Sequence, residues 1–320
     1  MARLALLLCV PVALWRDRGF FSYWLRNPGA FDARALRDVA VHDLLPVAEA
    51  AVLALACAGL GARVLRRLLP GERPDGARPF SFALGLAALG WCAFVLGLAG
   101  LLTPAALGAL AAAALLAADL RAAIPERPKL PRLDAAAALA SGAMGLAAFN
   151  ALVTALAPAT AWDVLAYHLA LPKIYLKEGR ALELPWLIHG HWPHLMEAFY
   201  ALPLALGSDA VAALTHAAAC AALTAAIWLA ARRELGEKAA WISASLFAAQ
   251  PALHMVAGTA HNDGALALFV FLSVWAAYEW KETSRDGWLA VSCLLAGAAA
   301  CAKLHGLVVA ATLAGLVALR

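Results

Sequence analysis

The sequence predicts an all-α, polytopic transmembrane helical bundle with one long loop of short amphipathic helices at a membrane face. Three observations carry that reading. The 320 residues are 64% hydrophobic and only 14% charged, with a mean hydropathy of +0.77, outside the range of soluble globular domains. The apolar residues gather in runs close to the ~20 residues that a helix needs to span a bilayer. The basic residues are dispersed into short connections between those runs, so the net charge of +4 speaks for orientation in a membrane and against a nucleic-acid partner.

From the N-terminus, MARLALLLCVPVALW has the form of a signal sequence: Arg3, then an apolar stretch short for a full span, with no clear small-residue cleavage site after it. Residues 1–44 are set apart as an N-terminal segment, and residues 45–320 form the transmembrane domain. Apolar helices are expected over roughly 45–65, 80–101, 104–120, 134–157, 204–231, 239–257, 264–280 and 288–302, with another beginning at 306. Four connections between them are basic: Arg63, Arg66, Arg67, Arg73 and Arg78; Arg121, Arg127, Lys129 and Arg132; Arg232, Arg233 and Lys238; Lys281 and Arg285. The positive-inside rule makes these cytoplasmic. The connections at 102–103, 158–203, 258–263 and 303–305 then face the other side by parity. Arg16, Arg18, Arg26, Arg34 and Arg37 break the charge rule, which leaves an interfacial segment or an unreliable first stretch as two open readings.

The cysteines at 9, 57, 92, 220, 293 and 301 lie in apolar segments without a CxxC pair. They read as small core residues, which argues against a disulfide framework or a cysteine metal site. The chain stops at LVVAATLAGLVALR, inside an unfinished bundle, so a C-terminally truncated chain is expected.

The outward connections hold most of the chemistry. Seven of the nine histidines fall in or beside them: His168, His189, His191 and His194 in the long loop, His254 and His261 near the next, and His305 in the last. Asp163, Asp263 and Lys303 join them there. Asp163 begins the amphipathic segment VLAYHLALPKIYLK, which Pro172 bends or interrupts; it reads as a helix cap or as a working carboxylate with Tyr167 one turn along the same face. His189, His191 and His194 precede a short helix over roughly 193–203 led by Pro193. They read as interfacial side chains, as weak zinc ligands, or as donors to an anionic substrate. Asn262 and Asp263, just before the helix at 264–280, read as its cap or as part of the outward-facing site. Lys303 lies between two apolar stretches, where an ammonium needs a partner, and a phosphate would serve.

The order of WDVLAYH, HWPHLMEAFYALPLALGSDAVAALTHAAA, GTAHNDGALAL and AGAAACAKLHG resembles the integral-membrane glycosyltransferases of the GT-C fold. The branch is that of the bacterial protein O-mannosyltransferases and the lipid A aminoarabinose transferases, glycosyltransferase family 39-like. The resemblance covers about residues 135–320. In that group an Asp, often Asp-Glu, with a Tyr four residues on lies in the first large extracytoplasmic loop; Asp163 and Tyr167 match, with Val164 in the place of the Glu. A proline-led short helix ending in Leu-Gly matches Pro193 to Leu206 and Gly207. An Asp in the next outer connection matches Asp263, and a Lys after a small-residue helix matches Lys303. Where the family commonly has a charged residue before the loop proline, His191 and Trp192 stand.

The resemblance implies transfer of a sugar, with inversion, from a polyprenyl-phosphate donor to a lipid, glycan or protein acceptor at the extracytoplasmic face of a bacterial-type inner membrane. It makes Asp163 the general base. Tyr167, His168, His191, His194, His261, Lys303 and His305 become substrate-binding candidates, and Asp263 either orients one of them or binds a divalent metal. The competing class is a transporter or flippase for a lipid-linked or anionic solute, which requires polar residues along helix interiors; His216 and Asn150 are the clearest mid-helix polar groups. A structural scaffold would leave the long loop's chemistry without a purpose.

Overall fold

The computed structural model describes residues 37, 40–72, 76–123 and 135–319. Residues 1–36, with Arg3, Cys9, Arg16, Arg18, Arg26 and Arg34, lie outside the described residues, as do Arg73, Arg127, Lys129 and Arg132. A single π turn, Ala40–Leu44, leads into α1 (Leu45–Leu68), followed by α2 (Ala77–Leu98), α3 (Pro104–Ala117), the short α4 (Leu120–Ala123) and α5 (Ala135–Leu156). The long loop holds a π turn at Val164–His168, α6 (Ala170–Glu178), a 3-10 turn at Ile188–His191 and α7 (Leu195–Ala205). The chain then runs through α8 (Asp209–Leu235), α9 (Glu237–Ala248), α10 (Pro251–Val256), α11 (Asp263–Thr283), α12 (Asp286–Ala302) and α13 (His305–Ala318). No strand occurs among the described residues, so the all-α class holds.

Helix boundaries follow from local chemistry. Thr103 caps α3 by accepting from the amide of Ala106 at 3.2 Å, with Pro104 next, where its missing N–H costs nothing. Ser208 caps α8 through the amide of Val211 at 3.3 Å. The continuous helix expected over 204–231 is therefore two: Gly207, at φ 87, takes a left-handed turn between α7 and α8. The helix expected over 239–257 also divides, because Pro251 has no N–H to give and holds Gln250 at φ −65, ψ 128. Pro172 falls in the first turn of α6, where a proline is tolerated, and the interruption lies before it at Leu169. The proline-led helix begins two residues later than expected, at Leu195.

Four helices among the described residues are long and apolar enough to cross a membrane: Val41–Leu68, Ala77–Leu98, Ala137–Leu156 and Asp209–Leu235. Pro104–Ala117, Asp286–Ala302 and His305–Ala318 are apolar but shorter. At 1.5 Å per residue, 14 residues rise only ~21 Å against a hydrocarbon core of ~30 Å. Large apolar side chains on the outside of the bundle, among them Val95, Leu98, Phe149, Val274 and Val308, give it a lipid-compatible surface. Cys57 and Cys220 are buried as expected for small core residues, whereas Cys92, Cys293 and Cys301 are exposed on that apolar outside.

Close packing depends on small residues. A Cβ on Gly61 would overlap the carbonyl oxygen of Ser81, and one on Gly85 that of Cys57, so α1 and α2 meet backbone to backbone. Phe80 of α2 packs at 5.4 Å against both Trp275 of α11 and Trp288 of α12, fastening three helices near one end.

The helix connections sort into two rims. At one end, Arg66 pairs with Asp119, Arg285 with Glu72, and Arg233 with Glu279, joining the four basic connections. At the other, the Leu102 amide donates to Gly179 O at 2.9 Å and the Ala181 amide to Gly97 O at 2.9 Å, tying the 99–103 connection to the long loop. Tyr200 donates to the His261 carbonyl, and the Asn262 amide group donates to Ala302 O at 3.1 Å. The 102–103, 158–203, 258–263 and 303–305 connections thus share one rim.

Candidate functional site at the loop rim

Lys303 stands at the break between α12 and α13, in extended backbone at φ −159, ψ 147. Its Nζ donates to Asp263 Oδ1 at 2.7 Å, and Asp263 opens α11, where a helix N-terminus favours negative charge. Asp263 and Asn262 make no side-chain cap on α11. The expected capping role is replaced by contacts to residues 302 and 303, which fix α12 and α13 against α11.

Beside this pair is a cavity of about 120 Å³ lined by Tyr167, His189, Trp192, Pro193, His194, Glu197, Asn262, Ala302, Lys303, Leu304 and His305. Its aromatic wall is ordered by stacking. The Tyr167 and His189 rings lie parallel at 4.3 Å, and Trp192 meets His189 edge-on at 4.5 Å. His194 Nε2 donates to the His189 carbonyl at 2.8 Å, which leaves its Nδ1 as an acceptor 3.5 Å from the Tyr175 hydroxyl.

Behind the wall lies a buried polar group. His168 Nδ1 is 2.6 Å from Glu197 Oε1, with both side chains buried. The carboxylate accepts, so Nδ1 carries the proton. Asn262 Nδ2 approaches the same Oε1 at 3.5 Å. The His261 ring is 5.3 Å from that of His168, and its Nδ1 is 2.5 Å from Thr259 Oγ1. Burial, with the His168 ring beside it, lowers the His261 pKa against the opposing pull of Asp263 and Asp163, so the ring is neutral near pH 7. Burial, reinforced by the charges of Asp163, Glu197 and Asp263, raises the Tyr167 pKa, and its phenol stays a hydrogen-bond donor. Tyr175 is raised for the same reasons, burial first and then Glu197.

Tyr167, His194, Lys303 and His305 are therefore brought together on the cavity, with Asp263 one contact away. His168 and His261 stand behind it. His191 is apart, exposed, with its Nδ1 4.0 Å from Glu183 Oε1. Asp163 is half-buried, has helical backbone angles and makes no cap bond. It is not a lining residue of the cavity; its charge reaches Tyr167 and His261. Among the described residues no three His, Cys, Asp or Glu side chains gather to hold a metal ion, and Asp263 faces Lys303 instead. These residues do not fit a divalent metal.

Glu197 carries no role in the sequence reading and Asn262 only that of a helix cap, yet both are buried on the cavity. A signal for Glu197 exists: it is a carboxylate inside the apolar LMEAFYALPLA helix, and ionisable groups at membrane depth are costly unless used. Asn262 has no such signal, because an uncharged amide beside a helix start reads as a cap. His216, the mid-helix polar residue, is consumed structurally: its Nδ1 donates to Val256 O at 3.0 Å and its Nε2 accepts from the Gly264 amide at 2.9 Å. Asn150 Nδ2 is 3.5 Å from His254 Nδ1. Neither forms part of a polar track through the bundle.

No curated protein and no solved structure matches the chain. Residues 191–320, which contribute Trp192, His194, Glu197, Asn262, Lys303 and His305 to the cavity, match the family model described as dolichyl-phosphate-mannose-protein mannosyltransferase; with the all-helical fold and its membrane-length helices, that match supports a GT-C-like membrane glycosyltransferase.

Proposed function

We propose that the protein transfers a sugar from a polyprenyl-phosphate carrier to an acceptor at the extracytoplasmic face of a bacterial-type inner membrane. The observation that carries this is the placement of Lys303 and its cavity at the loop rim, beside apolar helices, with Lys303 and most of the cavity lining in the matched segment. A polyprenyl tail partitions into lipid while its phosphate stays at the interface, so donor and acceptor meet at such a rim. The opposite rim holds the arginine-rich connections, which favours the cytoplasm for that end.

In this reading the acceptor oxygen attacks the anomeric carbon of the donor sugar. The bond from that carbon to the phosphate oxygen breaks, and the configuration inverts. Asp163 takes the acceptor's proton, approaching from the Tyr167 side. Lys303, held in place by Asp263, balances the charge left on the polyprenyl phosphate, with His305 and the Tyr167 hydroxyl as further donors. The acceptor is a lipid, a glycan or a protein.

The test is to incubate membranes containing the protein with polyprenyl-phosphate sugars radiolabelled in the sugar. Transfer of label to a new product, absent in membranes without the protein, is the expected result. Passage of a lipid-linked sugar across the membrane without any such product would support the transporter reading instead.

A further inference from the structure

Two residues that line the cavity carry buried hydrogen-bond acceptors that the protein leaves unused. Glu197 Oε2 and Asn262 Oδ1 have no hydrogen-bond partner among the described residues, although Glu197 is 1% exposed and Asn262 4%. Neither side chain is free to swing away. Glu197 is held through Oε1 by His168 at 2.6 Å, and the Asn262 amide nitrogen is committed to Ala302 O at 3.1 Å, which assigns Oδ1 as the atom left over. Buried acceptors without donors are costly and rare in native structures. Here both belong to residues lining the same cavity as a stacked aromatic wall and a lysine.

A cavity of about 120 Å³ is several times the ~30 Å³ that one water occupies in the liquid, which is the scale of one monosaccharide ring. A ring of that kind carries several hydroxyl donors and a C–H face. Unused acceptors, an aromatic surface and a cation are the complement of a sugar phosphate: hydroxyls to Glu197 and Asn262, the C–H face to Tyr167, His189 or Trp192, and the phosphate to Lys303.

On the reading that the protein is a polyprenyl-phosphate-dependent glycosyltransferase, we infer that this cavity is the pocket for the donor's sugar and that Glu197 and Asn262 select its chemical class. Two acceptors, one of them a carboxylate positioned by His168, accept from a neutral hexose or from the ammonium of an amino sugar. A sugar acid would bring a second carboxylate against Glu197, and the one lysine on the cavity already serves the phosphate. The pocket therefore rejects hexuronates.

The experiment uses the whole protein in nanodiscs and measures equilibrium binding of bare polyprenyl phosphate, of polyprenyl-phosphate mannose, glucose and galactose, and of the three matching hexuronates. Wild type is expected to bind at least one hexose lipid about tenfold or more tighter than its hexuronate. In Glu197→Gln that gap should shrink to about threefold or less, with the affinity for bare polyprenyl phosphate unchanged. Equal wild-type affinity for each hexose lipid and its hexuronate overturns the sugar pocket while leaving the proposed function standing, and this comparison needs no variant to fold. An undiminished gap in Glu197→Gln overturns it as well. Failure of wild type to bind any of the polyprenyl-phosphate lipids removes the proposed function itself, and this inference with it.

Discussion

Lys303 Nζ lies 2.7 Å from Asp263 Oδ1, joining the break between α12 and α13 to the first residue of α11. Both side chains keep access to solvent, at 25% and 42% exposure, so water screens the attraction. An ion pair so exposed contributes only about 0–1 kcal/mol to stability. The pair is better understood as a device that holds an ammonium at the cavity.

Replacing Lys303 by Met should therefore separate activity from folding. Transfer is expected to fall by roughly 10²–10³, the loss typical of one transition-state charge stabiliser, while the thermal midpoint in detergent barely moves. Lys303→Arg should recover part of the activity. Transfer assays and a melting curve on the same preparations check both halves.

Asp163→Asn should lower the transfer rate by roughly 10²–10⁴, as expected for loss of a general base. The affinity for bare polyprenyl phosphate should stay as in wild type, because Asp163 does not line the cavity. Full activity in this variant would remove Asp163 from the chemistry.

His168 and Glu197 form a buried pair. His168→Leu leaves the buried Glu197 carboxylate without its closest donor, at a cost of roughly 3–5 kcal/mol. The double variant His168→Leu, Glu197→Leu should regain most of that stability, since an apolar pair replaces an ionisable one. It should not regain transfer. Thermal unfolding and the transfer assay together distinguish the two effects.

Gly85→Ala should destabilise the bundle by about 1–3 kcal/mol, because the new methyl overlaps the Cys57 carbonyl and must push α1 from α2. Gly108→Ala, which points into open space, is the matched control and should be neutral or slightly stabilising. Expression level and melting temperature report the difference.

In a cysteine-free background, Arg180→Cys should react with a membrane-impermeant maleimide added to intact cells, and Glu237→Cys only after the membrane is opened. Arg180 follows α6 at the loop rim, and Glu237 opens α9 at the arginine-rich rim. Labelling of both from outside would place the two rims on one side and break the proposed topology.

Much of this architecture is written in the chain itself. Apolar runs, basic connections and parity separate two rims without any tertiary information, because lipid imposes one length scale on every span and charge asymmetry orients them. Gly207 and Pro251, which divide two of the expected helices, are also local signals; they were outweighed by the apolar runs around them. The gathering of Asp163, Asp263, Lys303 and the outer histidines at one face was legible for the same reason. Which of them share a cavity was not. His191 and His194 are three residues apart, yet one lies in the open and the other on the wall, a difference decided by how the 3-10 turn and the start of α7 direct their side chains. Glu197 and Asn262, 65 residues apart, meet only because α7 packs at the rim beside the start of α11. Hydropathy and charge are sums over neighbours along the chain, and they determine membrane and rim. A hydrogen bond needs two groups within about 3 Å in space, and that distance is decided by helix packing alone.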